Sequence, residues 1–278
     1  MASMFHVPMP SENMGYSFAP QAVSGEPKQH SFYPLSADIP PSLRYTDNGG
    51  STLGITGPSF CILAGDTRST SGYNINTRYA PKLFRIGGSG PTNKSSKLVL
   101  SVVGFAADGK ALAERLDLIV KMYKYQHGKE MSVSACAARL SHVLYNKRFF
   151  PYYVHAILGG LDEHGVGALY SYDPVGSYER EQCRAAGAAA SLIMPFLDNQ
   201  VNFKNQYIPG SGVGEGTSRV MEERKRGESD MGEGEVMGLV RDAFTSAVER
   251  HIEVGDGLQI CVITKEGIKE TYVELKKD

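Results

Sequence analysis

The apolar residues of this chain change period in blocks, and that ordering constrains the fold more than any single motif. Short runs rich in β-formers come first: Ser51 to Thr56, Phe60 to Gly65, an extended piece from Tyr73 to Ile86 broken at Pro81, and Lys97 to Val103. The first two flank a Gly57-Pro58 turn and predict a β-hairpin. The period then becomes helical. Leu112, Leu116, Ile119 and Tyr123 share one face, with Asp108 as the predicted cap and Gly128 as the stop. Val133, Ala137, Leu140 and Leu144 repeat that spacing behind Ser132, and Pro151 prevents any continuation. Strands return at Tyr153 to Leu158, Ala168 to Tyr172 and Tyr178 to Arg184, around turns at Asp162 to Gly165 and Asp173 to Gly176. Two more helices are predicted over Gly187 to Leu197 and Glu235 to His251, then a hairpin of Leu258 to Thr264 and Ile268 to Leu275. Strands, two helices, strands, two helices, strands is not βαβα alternation. It argues for an α+β fold with antiparallel sheets packed face to face, each outer face covered by helices.

Two segments fall outside this scheme. Residues 1–49 hold Pro8, Pro10, Pro20, Pro27, Pro34, Pro40 and Pro41, half of the 14 prolines, without apolar periodicity. Such a stretch buries too little surface to offset its ordering entropy, so it reads as a flexible leader or removable pro-segment ahead of a domain over 50–278. Residues 207–235 are rich in glycine and carry the run Glu222-Glu223-Arg224-Lys225-Arg226; they read as a charged, solvated surface insertion.

Charge excludes some partners. Lys and Arg total 29 against 30 Asp and Glu, a net charge of −1, which gives no electrostatic case for nucleic acid or an anionic membrane. No run reaches the eighteen or so apolar residues of a spanning helix, and the first Lys or Arg is Lys28, so no signal peptide or mitochondrial presequence is expected. The reading is a soluble intracellular protein. Cys61, Cys136, Cys183 and Cys261 are far apart and form no CxxC pair, so neither a metal cluster nor a disulfide framework is expected; buried apolar thiols are. Gly88 to Ser95 looks briefly like a phosphate loop, but Asn93 stands where glycine should precede Lys94 and Pro91 removes an N–H, so it reads as a polar hairpin loop. His142 and His155 have no partner at metal spacing. No cofactor is implied.

The informative stretch runs from Asn48-Gly49-Gly50-Ser51-Thr52 to Gly65-Asp66-Thr67-Arg68 and on to Pro81-Lys82. With Phe149-Phe150-Pro151-Tyr152-Tyr153, Tyr172-Asp173-Pro174-Val175-Gly176-Ser177-Tyr178 and Leu197-Asp198-Asn199-Gln200, it resembles the beta-type subunits of the proteasome. The resemblance covers about residues 44–278. It implies an N-terminal nucleophile hydrolase fold, a four-layer αββα sandwich of two antiparallel sheets. It also implies partners: other beta subunits in the same and the opposite ring, and alpha-ring subunits, in the particle that degrades proteins in the ubiquitin-dependent pathway of the cytoplasm and nucleus.

Active members of that family free a threonine whose hydroxyl attacks the peptide carbonyl, with its own amine as base and an Asp and a Lys organising both. Counting back sixteen residues from Asp66 and thirty-two from Lys82, the family's spacings, leads both times to Gly50. Glycine has no hydroxyl. The family's helping Ser corresponds to Ala188, and its Asp and Ser before the last hairpin to His251 and Val254. Gly50, Asp66 and Lys82 are thus expected to be vestigial active-site positions, with no catalytic residue. Ser51 is the alternative nucleophile, of an active serine hydrolase, but one step along a strand turns a side chain to the opposite face. A free-standing binding protein on the same sandwich is the other alternative. The resemblance further implies that neighbours trim the leader, with a mature end around Ile39 to Tyr45.

Overall fold

The computed structural model describes residues 45–88, 97–214, 216–222 and 231–278. Two five-stranded antiparallel sheets form its centre. In the first, β1 (Ser51–Thr56) lies between β10 (Cys183–Gly187) and β2 (Cys61–Asp66), and β13 (Gly257–Thr264) joins β2 to the edge strand β14 (Gly267–Glu274). The second runs β5 (Leu83–Ile86), β6 (Leu98–Gly104), β7 (Val154–Leu161), β8 (Gly167–Tyr172), β9 (Tyr178–Glu181). Helices α1 (Ala106–His127) and α2 (Val133–Tyr145) cover the second sheet; α3 (Ala190–Gln200) and α4 (Glu233–Arg250) cover the first.

Three apolar layers hold these four together. Leu53, Ile55, Ile62 and Ala64 pack with Ile193, Val240 and Phe244 under α3 and α4. Leu100, Val102 and Leu158 pack with Leu112, Leu116 and Leu140 under α1 and α2. Leu63, Cys61 and Cys261 meet Val99, Ile157 and Leu169 between the sheets. The blocks of alternating period are what permits this: each strand sends one set of side chains to the helices and the other to the facing sheet. All four cysteines are free and buried, and burial pushes the thiols of Cys61, Cys136, Cys183 and Cys261 up to about 12. Among the described residues, no helix is long and apolar enough to cross a membrane.

Local signals hold at several ends. Ser132 Oγ accepts from Ala135 N, and α1 stops at Gly128. Elsewhere the structure corrects the expectation. Asp108 does not cap α1; its carboxylate accepts from Tyr153 N, and Asn48 Oδ1 receives the Ala106 N–H instead. The strand expected over Tyr178 to Arg184 is two strands in different sheets, divided at Gln182. The helix expected from Gly187 starts at Ala190, because Gly187 completes β10 opposite Ser51. The extended piece after Tyr73 is β4 (Asn74–Thr77), paired in a short ribbon with the preceding β3 (Ser69–Ser71), and then β5.

The glycine-rich insertion is not structureless. β11 (Gln206–Tyr207) pairs with β12 (Met221–Glu222), extended by Ile208 N donating to Val220 O, since Tyr207, Ile208, Val220 and Met221 are β-formers on either side of the glycine turn. Its Arg224-Lys225-Arg226 run and the loop of residues 89–96 lie outside the described residues. Tyr45 to Gly49, expected to end the flexible leader, are packed. Tyr45 stacks on Tyr153 with ring centroids 5.1 Å apart, and Asn48 is hydrogen-bonded to Gly104 at the end of β6 and to Thr70 in the β3–β4 ribbon.

Candidate functional site

The leading end of β1 meets the trailing end of β2 and the residue before β5, which brings Gly50, Asp66 and Lys82 together from three places in the chain. Ser51 N donates to Asp66 Oδ1 at 2.7 Å, and Gly255 N reaches Asp66 Oδ2 at 3.4 Å. Lys82 Nζ donates to the carbonyls of Asp66 (2.9 Å) and Arg68 (2.7 Å) and lies 3.4 Å from Asp66 Oδ1. The Asp66 side chain is fully buried and that of Lys82 nearly so. A Cβ at position 50 would stand 2.2 Å from Lys82 Cε and 2.9 Å from Asp66 Oδ1. Any side chain there would therefore point into the acid–amine pair, and the pair has closed over the space.

Electrostatics match that closure. Burial pushes Asp66 up, opposed by Lys82 and by the N–H groups of Ser51 and Gly255. Burial pushes Lys82 down, opposed by Asp66. Both shifts favour the neutral forms, as expected of a couple removed from water. Such a couple can hold or pass a proton. To activate a nucleophile it needs a side-chain hydroxyl on residue 50, and Gly50 has no side chain.

Ser51 stands on the other face. Its Oγ accepts from Ala189 N at 2.7 Å, and the residues of its parity, Leu53 and Ile55, face α3 and α4. The hydroxyl is buried under helix α3's leading end rather than beside Lys82. Ala188 lies where its N–H donates to Gly50 O at 2.8 Å, so the backbone approaches the site but the side chain brings a methyl. Val254 is fully buried in the apolar layer beneath α4, and His251 Nδ1 accepts from Glu253 N at 3.3 Å.

Two features escaped the sequence reading. Arg68, two residues past Asp66, is 2% exposed and donates through Nε to Asp256 Oδ2 at 2.7 Å; Arg78 also bonds Asp256, and Asp278 Oδ1 lies 3.1 Å from Arg68 Nη2. Hydrogen bonds donated to Asp256 and Asp278 outweigh burial and raise the Arg68 pKa. Burial pushes Asp256 up, but the bonds from Arg68 and Arg78 outweigh it and hold its carboxyl below the usual range. The only available signal was the charged triplet Asp66-Thr67-Arg68 at a strand end. The other missed feature is Asn48, which read only as part of a turn.

A family model for proteasome subunits matches residues 46–208, more than half of the chain. The chain belongs to the proteasome beta-type subunit family. It is 53% identical to proteasome subunit beta type-6 of Saccharomyces cerevisiae, over 92% of this chain and 95% of that one. It is 40% identical to proteasome subunit beta type-1 of Danio rerio, over 91% of this chain and 92% of the relative. Proteasome subunit beta type-1 of Arabidopsis thaliana is likewise 40% identical, over 84% and 96%. These matches span the strands and turns that carry Gly50, Asp66 and Lys82.

Proposed function

We propose that this chain is a non-catalytic structural subunit of the proteasome core particle, at the sixth position of the beta ring, on the N-terminal nucleophile hydrolase fold. It completes the ring and shapes the proteolytic chamber. It touches beta subunits of its own and the opposite ring and the alpha ring, in the cytoplasm and nucleus. Gly50, Asp66 and Lys82 are vestigial active-site positions, and the leader before Gly50 is trimmed by neighbours.

One observation carries this reading: the position at which Asp66 and Lys82 converge is a glycine. An acid–amine frame without a hydroxyl at its centre cannot form an acyl intermediate. Ser51 offers no rescue, because its hydroxyl is engaged with Ala189 N on the helix side of the sheet.

The test is Lys82→Ala in the assembled particle. Every peptidase activity per particle stays at its original value, while particle yield falls. Loss of one peptidase activity at normal yield, or an endogenous N-terminus at Ser51, overturns the reading in favour of an enzyme. A covalent probe for N-terminal hydroxyl nucleophiles should leave this subunit unlabelled.

A further inference from the structure

The segment ahead of Gly50 is seated as a ligand would be. Asn48 N donates to Gly104 O at 3.0 Å, and Thr70 N donates to Asn48 O at 3.0 Å. One residue thus bridges the end of β6 and the middle of β3 through its backbone, as an added strand does. Its side chain repeats the bridge. Nδ2 donates to Thr70 O at 3.3 Å, and Oδ1 takes the Ala106 N–H at 2.8 Å, capping α1 from 58 positions away. Gly49 N donates back to Asp47 Oδ1 at 2.9 Å and fixes the turn into the site.

The joint behind Asn48 is built for this course. Gly49 and Gly50 have φ of +62° and +78°, a region that residues bearing a Cβ rarely adopt. A Cβ at Gly49 would fall 2.6 Å from Thr70 Oγ1 and 2.8 Å from Glu253 Cβ. At the far end Tyr45 is fastened: its hydroxyl donates to Pro151 O at 2.8 Å and its ring lies among Phe105, Phe150 and Tyr153. The segment lies in the cleft between β3 and the end of β6, and the space still open beside it, about 130 Å³, is lined by Asn48, Ser69, Lys82, Val102, Gly104 and Ala106.

We infer that Tyr45–Gly49 is a strap that occupies this chain's own groove beside Asp66 and Lys82, with Asn48 as the residue that locks it. The strap has two effects. It takes the backbone donors and acceptors of Thr70 and Gly104 that an extended peptide would need. It also shields its own peptide bonds, so trimming of the leader stops before Tyr45. The second effect rests on the reading that neighbours trim this leader; the first does not.

The experiment uses assembled particles carrying the full-length chain, as wild type, Asn48→Ala, and Tyr45→Ala with Asn48→Ala. Intact mass and N-terminal sequencing give the mature end, and amide hydrogen exchange reports on residues 45–50 and 70. In the wild type the mature end lies at Tyr45 or upstream, and the amides of Asn48 and Thr70 are protected. Each lost hydrogen bond opens the strap roughly 2- to 10-fold more often, and exchange and cleavage follow that open population. Asn48→Ala therefore speeds exchange across 45–50, and the double variant adds chains that begin within 46–50. A wild-type end inside 46–51, or exchange in 45–50 as fast as in an unpaired peptide, overturns the strap. So does Asn48→Ala with unaltered exchange and ends. A wild-type end at Ser51 overturns both this strap and the non-catalytic reading; every other failing outcome leaves the non-catalytic reading standing, because peptidase activity per particle does not enter these readouts.

Discussion

Two buried ion pairs sit two residues apart at the end of β2, and the fold treats them in opposite ways. Asp66 and Lys82 are each pushed by burial toward the neutral form, and Lys82 spends its best hydrogen bonds on the carbonyls of Asp66 and Arg68. Arg68 and Asp256 are as shielded from solvent but lie nearer the surface, and their mutual hydrogen bonds, joined by Arg78, Asp278 and the Ile252 carbonyl, keep both charged. The difference is depth together with saturation. A guanidinium bonded through all three of its nitrogens sustains a carboxylate near the surface; an ammonium 3.4 Å from its deeply buried acid does so poorly. The first pair frames a site whose central residue is glycine. The second ties the loop after β2 to the end of the chain.

Substitutions can break or sharpen that contrast. Arg68→Met should have the largest effect, about 3–5 kcal/mol, because it removes the buried partner of Asp256, leaving it Arg78 alone, together with the bonds to Ile252 and Asp278; the urea unfolding midpoint and the yield of assembled particle measure it. Lys82→Met should cost less, about 1–3 kcal/mol, since Asp66 is already disposed to take a proton and becomes a neutral acid. If Lys82→Met proves the more damaging, the ranking of the two pairs is wrong.

Acid separates the pairs next. The unfolded chain protonates Asp256 near the ordinary value of 3.8, and the folded chain only at lower pH. Its contribution is therefore present above 3.8 and lost as pH falls through the folded value. Asp66 is shifted upward, so it gives no such acid loss. Stability measured in that acid window should fall in the wild type and fall less in Asp256→Asn. The smallest effect belongs to an exposed reference, Lys121 with Asp117 at i,i+4 on α1. Lys121→Ala should change stability by about 0.3–0.5 kcal/mol, and added salt should erase the difference.

The contrast also marks what a sequence can disclose. Gly50 was legible because two spacings converge on it, and Ser51's wrong side was legible because strand parity is strict. The Ser132 cap and the Gly57-Pro58 hairpin are encoded within a few residues, and they hold. Arg68 with Asp256 was not legible, because 188 positions separate partners that no local pattern links. Asn48 failed for a related reason: its side chain completes a helix 58 residues later, where Asp108 looked sufficient. Gln182 carries no turn signature, yet one residue there moves the chain from one sheet to the other. Thr56 N donates to its carbonyl at 2.9 Å and fixes the crossing by tertiary pairing alone.

That crossing at Gln182 has a consequence in time. Every strand of the second sheet comes from one unbroken stretch, Leu83 to Glu181, and so do the two helices that cover it. The first sheet is assembled from both ends of the chain: β1 and β2 must wait for β10 and β13, more than a hundred positions away. During synthesis the half with the nearer contacts can close first, since domains form as their residues emerge and distant pairings are slow. The residues around Gly50 then remain an open edge until the last hairpin arrives. The meeting point of Gly50, Asp66 and Lys82 is thus the seam at which a newly made chain is finished.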